Sequence, residues 1–281
     1  MGEASVSEHR KDGRYHGALT SRPMPAEDAR LEALPQATRE TLAAVWRVRA
    51  AMERRVADSF RVIEDALRAR DASAELVALA HRAIDDEHRH AELSRVVASR
   101  YAGREVPAPE LLPLVVPRLE GASPAVRSTL HVVGQCILNE TTAAAYLELC
   151  MHHATGSTAQ WGLRELLADE VDHGRIGWAH LASLPADERR ALSPWLLPLA
   201  FLNLRVWRQE TIDENFADPV FAEHGAPNAA DVEAALSSAL GDLIVTGFAR
   251  LDMDASELRA WLDVGAPTDA PPVGLSRVLG A

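Results

Sequence analysis

The chain predicts an all-α fold built on four long helices, arranged as two antiparallel hairpins with a long irregular crossover between them. Three observations carry this. Apolar residues recur at three- and four-residue steps through long stretches free of Gly and Pro. One segment dense in proline interrupts them in the middle. A D-E-x-x-H motif occurs twice, once in the second half of each predicted hairpin.

The first helix runs from about Thr38 to Arg70, where Leu42, Val45, Trp46, Met52, Val56, Phe60, Ile63 and Leu67 form the apolar stripe. "DAS" at 71–73 supplies a turn with helix-capping residues, and the second helix continues to about Tyr101. "AGREVPAPELLPLVVPRLEGA" at 102–122 excludes a long helix. "SP" at 123–124 then offers a cap and a proline at the first helical position, opening a third helix to about His153. "ATGST" breaks it at Gly156, and a fourth helix spans about Ala159 to Leu184.

Three segments follow from this reading: a polar, proline-bearing flexible arm over 1–35, the bundle over 36–184, and a helical extension over 185–281 packed on the bundle. Within the extension, "SPWLLPLAFLNLRVW" is apolar nearly all round and suits a buried helix. "DASE" at 254–257 is a capping-box signature, and "GAPTDAPPVG" near the end reads as loose.

The totals narrow the function. A chain of 281 residues with 47% apolar residues can bury a substantial core. A net charge of −12 disfavours a broad basic surface for nucleic acid or anionic lipid. No run of about 18 apolar residues suggests a membrane span, and the first residues lack the apolar core of a secretory signal. Cys136 and Cys150 fit neither a disulfide framework nor a Cys-rich zinc site, so a reducing cytoplasm is the expected location.

"DDEHRHAEL" at 85–93 contains Asp86-Glu87-x-x-His90, and "LADEVDHGRIGW" at 167–178 repeats it as Asp169-Glu170-x-x-His173. On a helix, residues three apart lie about 60° apart in azimuth with about 4.5 Å of rise, so each Glu–His pair can converge on one ion. A pair of ions in a bundle also needs a carboxylate from each remaining helix. Reflecting Glu87 across the turn near residue 70 reaches Glu53. Reflecting Glu170 across the break at Gly156 reaches about 142, beside Glu140, the only acid between Gly121 and Tyr146. Four buried carboxylates without partners would take up protons, whereas two divalent cations neutralise them. Mixed carboxylate and imidazole ligation suits iron and manganese, and zinc would bind without redox chemistry.

Glu53, "DEHRH" at 86–90, Glu140 and "DEVDH" at 169–173 together resemble the ferritin-like di-iron carboxylate superfamily, over about residues 38–184. The resemblance implies a ferritin-like four-helix bundle with Glu53, Glu87, His90, Glu140, Glu170 and His173 as the ligands and catalytic centre. It implies two iron ions, or a manganese–iron pair, with O2 as co-substrate. Asp86 would orient His173 and Asp169 would orient His90. "DE-x-RH", with Arg89, is especially similar to the di-iron hydroxylases and ribonucleotide reductase small subunits. The chain departs from those patterns at Ser94, where the reductase has a radical tyrosine, at Leu166, where arylamine N-oxygenases add a histidine, and at Ala144, where multicomponent hydroxylases usually have threonine. The expected activity is therefore an oxidase or oxygenase that hydroxylates, desaturates or N-oxidises a small organic substrate, supplied by an electron donor or reductase. Ferritin- or rubrerythrin-like iron oxidation, storage or peroxide reduction is the alternative, and a homodimer interface is the alternative use of the extension.

Of the neighbouring residues, His81, His88 and Glu92 fall on other faces. Cys136 and Trp46 read as core, with Cys136 also a candidate to line the pocket, and His180 reads either as core or surface or as a pocket residue.

Overall fold

The computed structural model describes residues 19–20, 22–211 and 214–280, with the side chains of 214 and 215 excepted. Every regular element among them is a helix. Helix α1 (Ala29–Glu32) is capped by Asp28, whose carboxylate accepts from the Leu31 amide at 3.2 Å and from the Thr158 amide at 2.8 Å. Leu31 is fully buried. The second half of the expected flexible arm is thus pinned to the body, because burying Leu31 and satisfying Asp28 offset the entropy of ordering it. Residues 1–18 of that arm lie outside the described residues.

Helix α2 (Gln36–Ala69) has no internal helix breaker and runs about 51 Å at 1.5 Å per residue. Its buried stripe includes Leu42, Trp46, Ala50, Ala57, Phe60, Ile63 and Leu67. A turn at 70–73 follows. Helix α3 (Ala74–Ala102) begins at Ser73, whose hydroxyl accepts from the Leu76 amide, and ends at Gly103 in the left-handed region at φ +66°. Helices α2 and α3 pack along their length as the first hairpin.

No helix forms between Gly103 and Ser123, as the prolines require. The Ser123 hydroxyl then accepts from the Val126 amide and opens α4 (Pro124–Val132). A π-helical segment, Val133–Asn139, joins α4 to α5 (Glu140–His153). After the break at 154–156, where the Thr155 and Gly156 amides both donate to the Glu223 carbonyl, α6 (Ser157–Ser183) runs back against α5 and α3. The third helix of the sequence reading is therefore one helical path with a wider-wound stretch inside it. Apolar periodicity does not show such a stretch.

Two apolar clusters occupy this helical core, and their order along the chain locates the site. One includes Trp46, Leu93, Leu147 and Leu163, and the other includes Phe60, Ile84, Cys136 and Ile176. Between their members fall Glu53 on α2, Glu87 and His90 on α3, Glu140 at the start of α5, and Glu170 and His173 on α6. The acids and imidazoles form a polar layer held between two oily ones.

The extension consists of α7 (Ala186–Arg190), α8 (Ser193–Thr211), a 3-10 turn at Glu214–Ala217, α9 (Pro219–Ala222), α10 (Ala229–Ser238), a second π-helical segment (Ala239–Val245), α11 (Thr246–Arg250), α12 (Ser256–Asp263) and α13 (Leu275–Leu279). Helix α8 buries Trp195, Leu196, Leu199, Phe201, Leu204 and Trp207. It packs against the first π segment, α10, α12 and α13. The stretch Ala229–Arg250 is long and apolar enough to cross a membrane by length and composition, with a mean hydropathy of 1.3. Here its Val232, Leu236, Leu240, Ile244 and Phe248 are buried in the core instead. The segment expected to be loose is held at its start, where Ala266 is buried and the Trp261 indole donates to the Pro267 carbonyl at 3.1 Å. Beyond it, α13 docks on the crossover through Arg118 N to Val278 O at 2.8 Å and Glu120 N to Arg277 O at 2.7 Å.

Two positions test this packing. A Cβ added at Gly177 on α6 would lie 2.6 Å from Ile137 Cγ1 and 2.9 Å from Cys136 Cβ, so Gly lets α6 approach the π segment. Overpacking costs about 1–3 kcal/mol and exceeds the helix propensity that Ala contributes. Gly177→Ala should therefore lower the urea midpoint, with a net loss on the order of 1 kcal/mol. His180 on α6 is buried, with Nε2 3.5 Å from Thr129 Oγ1 and Nδ1 unpartnered. Burial, then the Arg70 charge, pushes its imidazole down to about 4 from 6.5. The unfolded chain therefore takes up a proton that the folded chain refuses, and stability present above pH 6.5 declines as pH falls toward 4. The loss attributable to this group is at most about 3 kcal/mol. Melting curves from pH 7 to 4.5 should fall less steeply for His180→Gln than for the parent.

Candidate metal centre

The six predicted side chains come together as two overlapping groups. One contains Glu53, Glu87, His90 and Glu170, and the other Glu87, Glu140, Glu170 and His173. Within each, the potential ligand atoms lie within 4.8 Å of one another. Glu87 and Glu170 belong to both groups, and their oxygens divide between the two imidazoles. Glu87 Oε2 is 3.5 Å from His90 Nδ1, while Glu87 Oε1 is 3.0 Å from His173 Nδ1. Glu170 Oε1 is 3.7 Å from His90 Nδ1, and Glu170 Oε2 is 3.5 Å from His173 Nδ1. The two rings have centroids 5.9 Å apart. Such a buried set could hold a metal ion in each group.

The outward nitrogens of the histidines face the aspartates of the opposite motif. His90 Nε2 donates to Asp169 Oδ2 at 3.0 Å, and Arg89 also contacts Asp169. His173 Nε2 lies 3.7 Å from Asp86 Oδ2. Each Asp stands one residue before its Glu, so it leaves its own helix on a neighbouring face and reaches the next helix. For His90 that hydrogen bond turns Nδ1 toward the carboxylates, whereas Asp86 stands near His173 without a hydrogen bond to it.

The buried polar atoms left without a partner test the fit of a cation. Both oxygens of Glu87, Glu170 Oε2, Nδ1 of His90 and both ring nitrogens of His173 are buried with no hydrogen-bond partner. Five of the six residues are at most 2% exposed, and Glu53 is half-buried on the wall of a cavity. A metal-free scaffold that keeps its acids as solvated charge would not look like this. Orphaned buried carboxylates are costly unless neutralised, and donor atoms of carboxylate and imidazole type match a divalent cation.

Without a cation the site defends itself with protons. Burial and the charge of Glu87 push Glu53 well above the usual carboxylate range, and burial and Glu170 do the same to Glu140. Burial opposes the Glu87 carboxylate too, but His173 and His90 outweigh it and bring that group to about 2. Burial opposes the His90 imidazolium, yet Asp169 and Glu87 lift it to about 10. His173 is raised as well, against burial, by Asp86, Glu170 and Glu87.

The residues around the ligands extend beyond those read from the sequence. Gln135 Nε2 donates to Glu140 Oε1, and the Gln135 carbonyl accepts from Ser59 Oγ at 2.6 Å. Asn139 Nδ2 donates to the same Glu140 oxygen at 3.3 Å, while its carbonyl accepts from the Trp207 indole at 3.1 Å. Gln135 is five residues before Glu140, a separation that the π segment brings to one turn. Among these, only the offset of a polar side chain from Glu140 was visible in the sequence. Cys136 is buried in the apolar cluster and does not line the cavity, and His180 belongs to neither ligand group. Trp46 is core, His81 is exposed beside Glu64, and Ser94 is buried with its hydroxyl unpartnered.

A cavity of about 340 Å³ opens from the ligands. Glu53, Glu140 and Glu170 form its floor. Val45, Val48, Met52, Val56, Ala143 and Leu147 supply apolar wall, and α8 and the turn after it contribute Val206, Trp207 and Phe216.

Comparison with models of known protein families, with curated proteins and with solved structures finds no match to this chain.

Because the ligand atoms are preassembled only in the folded chain, a bound cation should stabilise it by mass action. A concentration a thousandfold above Kd contributes about 4 kcal/mol. At about 2–4 °C per kcal/mol, anaerobic Fe(II) or Mn(II) should raise the melting temperature by roughly 10 °C. Glu140→Ala should lose most of that rise and most of the bound metal measured by elemental analysis. An unchanged metal content in that variant would remove Glu140 from the ligand set.

Proposed function

We propose that the chain is a ferritin-like di-metal carboxylate oxidase or oxygenase, with Glu53, Glu87, His90, Glu140, Glu170 and His173 holding two iron ions or a manganese–iron pair. The observation that carries the reading is the pair of ligand groups sharing Glu87 and Glu170 at the floor of a cavity large enough for a small organic molecule. When bound, such a pair supplies the electrons and Lewis acidity that activate O2.

The chain's own residues do the rest. Asp169 holds His90 with Nδ1 inward, and Asp86 stands near His173. Gln135 and Asn139 hold Glu140 through one of its oxygens, which leaves the other free of them. The apolar part of the wall lowers the local polarity beside the floor, which strengthens electrostatic contacts there. Helix α8 completes the cavity through Val206 and Trp207, which gives the extension a role that iron storage does not require. Ser94 stands where a radical tyrosine is expected, which supports substrate oxidation within the cavity rather than radical generation for a partner.

Iron handling is the second reading, favoured by the same ligand groups. Anaerobic loading with Fe(II) followed by O2 separates the two. The oxygenase reading expects one ion per ligand group, O2 uptake that stops without a reductant, and a small oligomer by size-exclusion chromatography. Continued oxidation of excess Fe(II) in a large cage would select storage, and an absence of O2 uptake would defeat both.

A further inference from the structure

Arg49 lies one turn before Glu53 on the buried stripe of α2 and lines the same cavity. It is 7% exposed, and its guanidinium carbon sits 4.3 Å from the Trp46 ring centroid and 5.8 Å from that of Tyr146. One arm is engaged, since Nη2 donates to the Gly225 carbonyl at 3.4 Å and lies 3.9 Å from Cys150 Sγ. The guanidinium also interacts with the Tyr146 side chain, and its other arm, Nη1, is buried with no hydrogen bond of its own. The second arginine of the cavity, Arg55, is occupied, because Glu210 accepts from both its arms at 2.7 and 2.8 Å.

We infer that Arg49 is the anchor for an anionic substrate, a small monocarboxylic acid whose apolar body lies along the cavity toward the ligand groups. The inference rests on the di-metal reading and deepens it. A planar fork with two parallel N–H groups matches a carboxylate better than any neutral headgroup. The charge balance selects a single negative charge. Two divalent ions neutralise Glu53, Glu87, Glu140 and Glu170, so Glu53 no longer offsets the cation one turn away. Arg49 then carries one uncompensated positive charge in a desolvated wall, and a monoanion cancels it. A dianion such as a phosphate monoester would leave a net negative charge in the desolvated wall, above a floor that the ions have already neutralised. The volume has room for on the order of ten water-sized groups, which suits a short-chain or single-ring acid.

Octanoate and 1-octanol, equal in chain length and different in charge, are the probes. Calorimetric titration of the Mn(II)-loaded protein should show octanoate binding about ten- to a hundredfold more tightly than octanol, the range expected for charge-assisted hydrogen bonds. Arg49→Gln should lose that preference while keeping its affinity for octanol and its metal content. Arg49→Lys, which keeps the charge and the fold of the stripe but loses the fork, should fall between. Equal binding of the two probes by the parent overturns the inference without need of any variant. A preference retained in Arg49→Gln also overturns it, because the carboxylate would then sit on the metal ions. Metal uptake, measured on the same samples, separates the two claims. Protein that takes up no Mn(II) and still prefers octanoate would sink the di-metal reading and keep the Arg49 anchor, and full metal content without the preference would do the reverse.

Discussion

The structure is organised around the cost of holding like charges in oil. Glu87, Glu140 and Glu170 are buried, Glu53 stands beside them, and two imidazoles lie within 4 Å of the shared carboxylates. Removing any one helix would leave the others with orphaned charge, since each of the four contributes at least one acid. The layer therefore favours one register of both hairpins: a slip of one residue would turn a Glu away from the other acids and imidazoles and put an apolar side chain among carboxylates.

That constraint explains devices elsewhere in the fold. The apolar clusters on either side keep water from solvating Glu87, Glu140 and Glu170, so these acids must find cations or protons. Asp86 and Asp169 sit at the edge of the layer, where partial exposure makes a permanent charge cheaper, and Asp169 orients the His90 imidazole from there. The π segment before Glu140 places Gln135 and Asn139 on that carboxylate, and wide turns of this kind cost hydrogen-bond geometry that the local contacts recover. Gly177 lets α6 come close enough to that segment for Glu170 and His173 to face Glu140.

The cavity arises from the same arrangement. Helices that separate enough to accommodate four carboxylates and two imidazoles leave space beside them, and here α8 lines that space with Val206 and Trp207 rather than filling it. Trp207 links that lining to the floor by donating to Asn139, which also contacts Glu140. The extension is thus coupled to the ligands through one amide side chain. Arg49 belongs to this space and not to the metal layer, one turn up α2 from Glu53.

The ligand groups were legible in the sequence because helical spacing converts three residues into one face and an antiparallel turn maps one helix onto its partner. The repeated D-E-x-x-H with Glu53 and Glu140 at the mirrored positions needs no coordinates to be seen, and the helix limits followed from Pro, Gly and capping residues at 70–73, 123–124 and 156. The π segment was not legible, because over seven residues a wider turn shifts the phase of the apolar pattern too little to stand out. Nor was the docking of 22–35 and of α13, since a lone Leu31 in a polar stretch, or a single helical turn carrying Leu275 and Val278, is too short to set a period. Arg49 was visible as a cation on an apolar stripe, but only the packing of Trp46, Tyr146 and Gly225 around it shows one arm engaged and the other without a hydrogen bond. Sequence by itself determined which side chains could meet a metal ion, because that depends on local periodicity. Tertiary structure decided what surrounds them, because cavities and buried orphans arise from contacts between residues far apart in the chain.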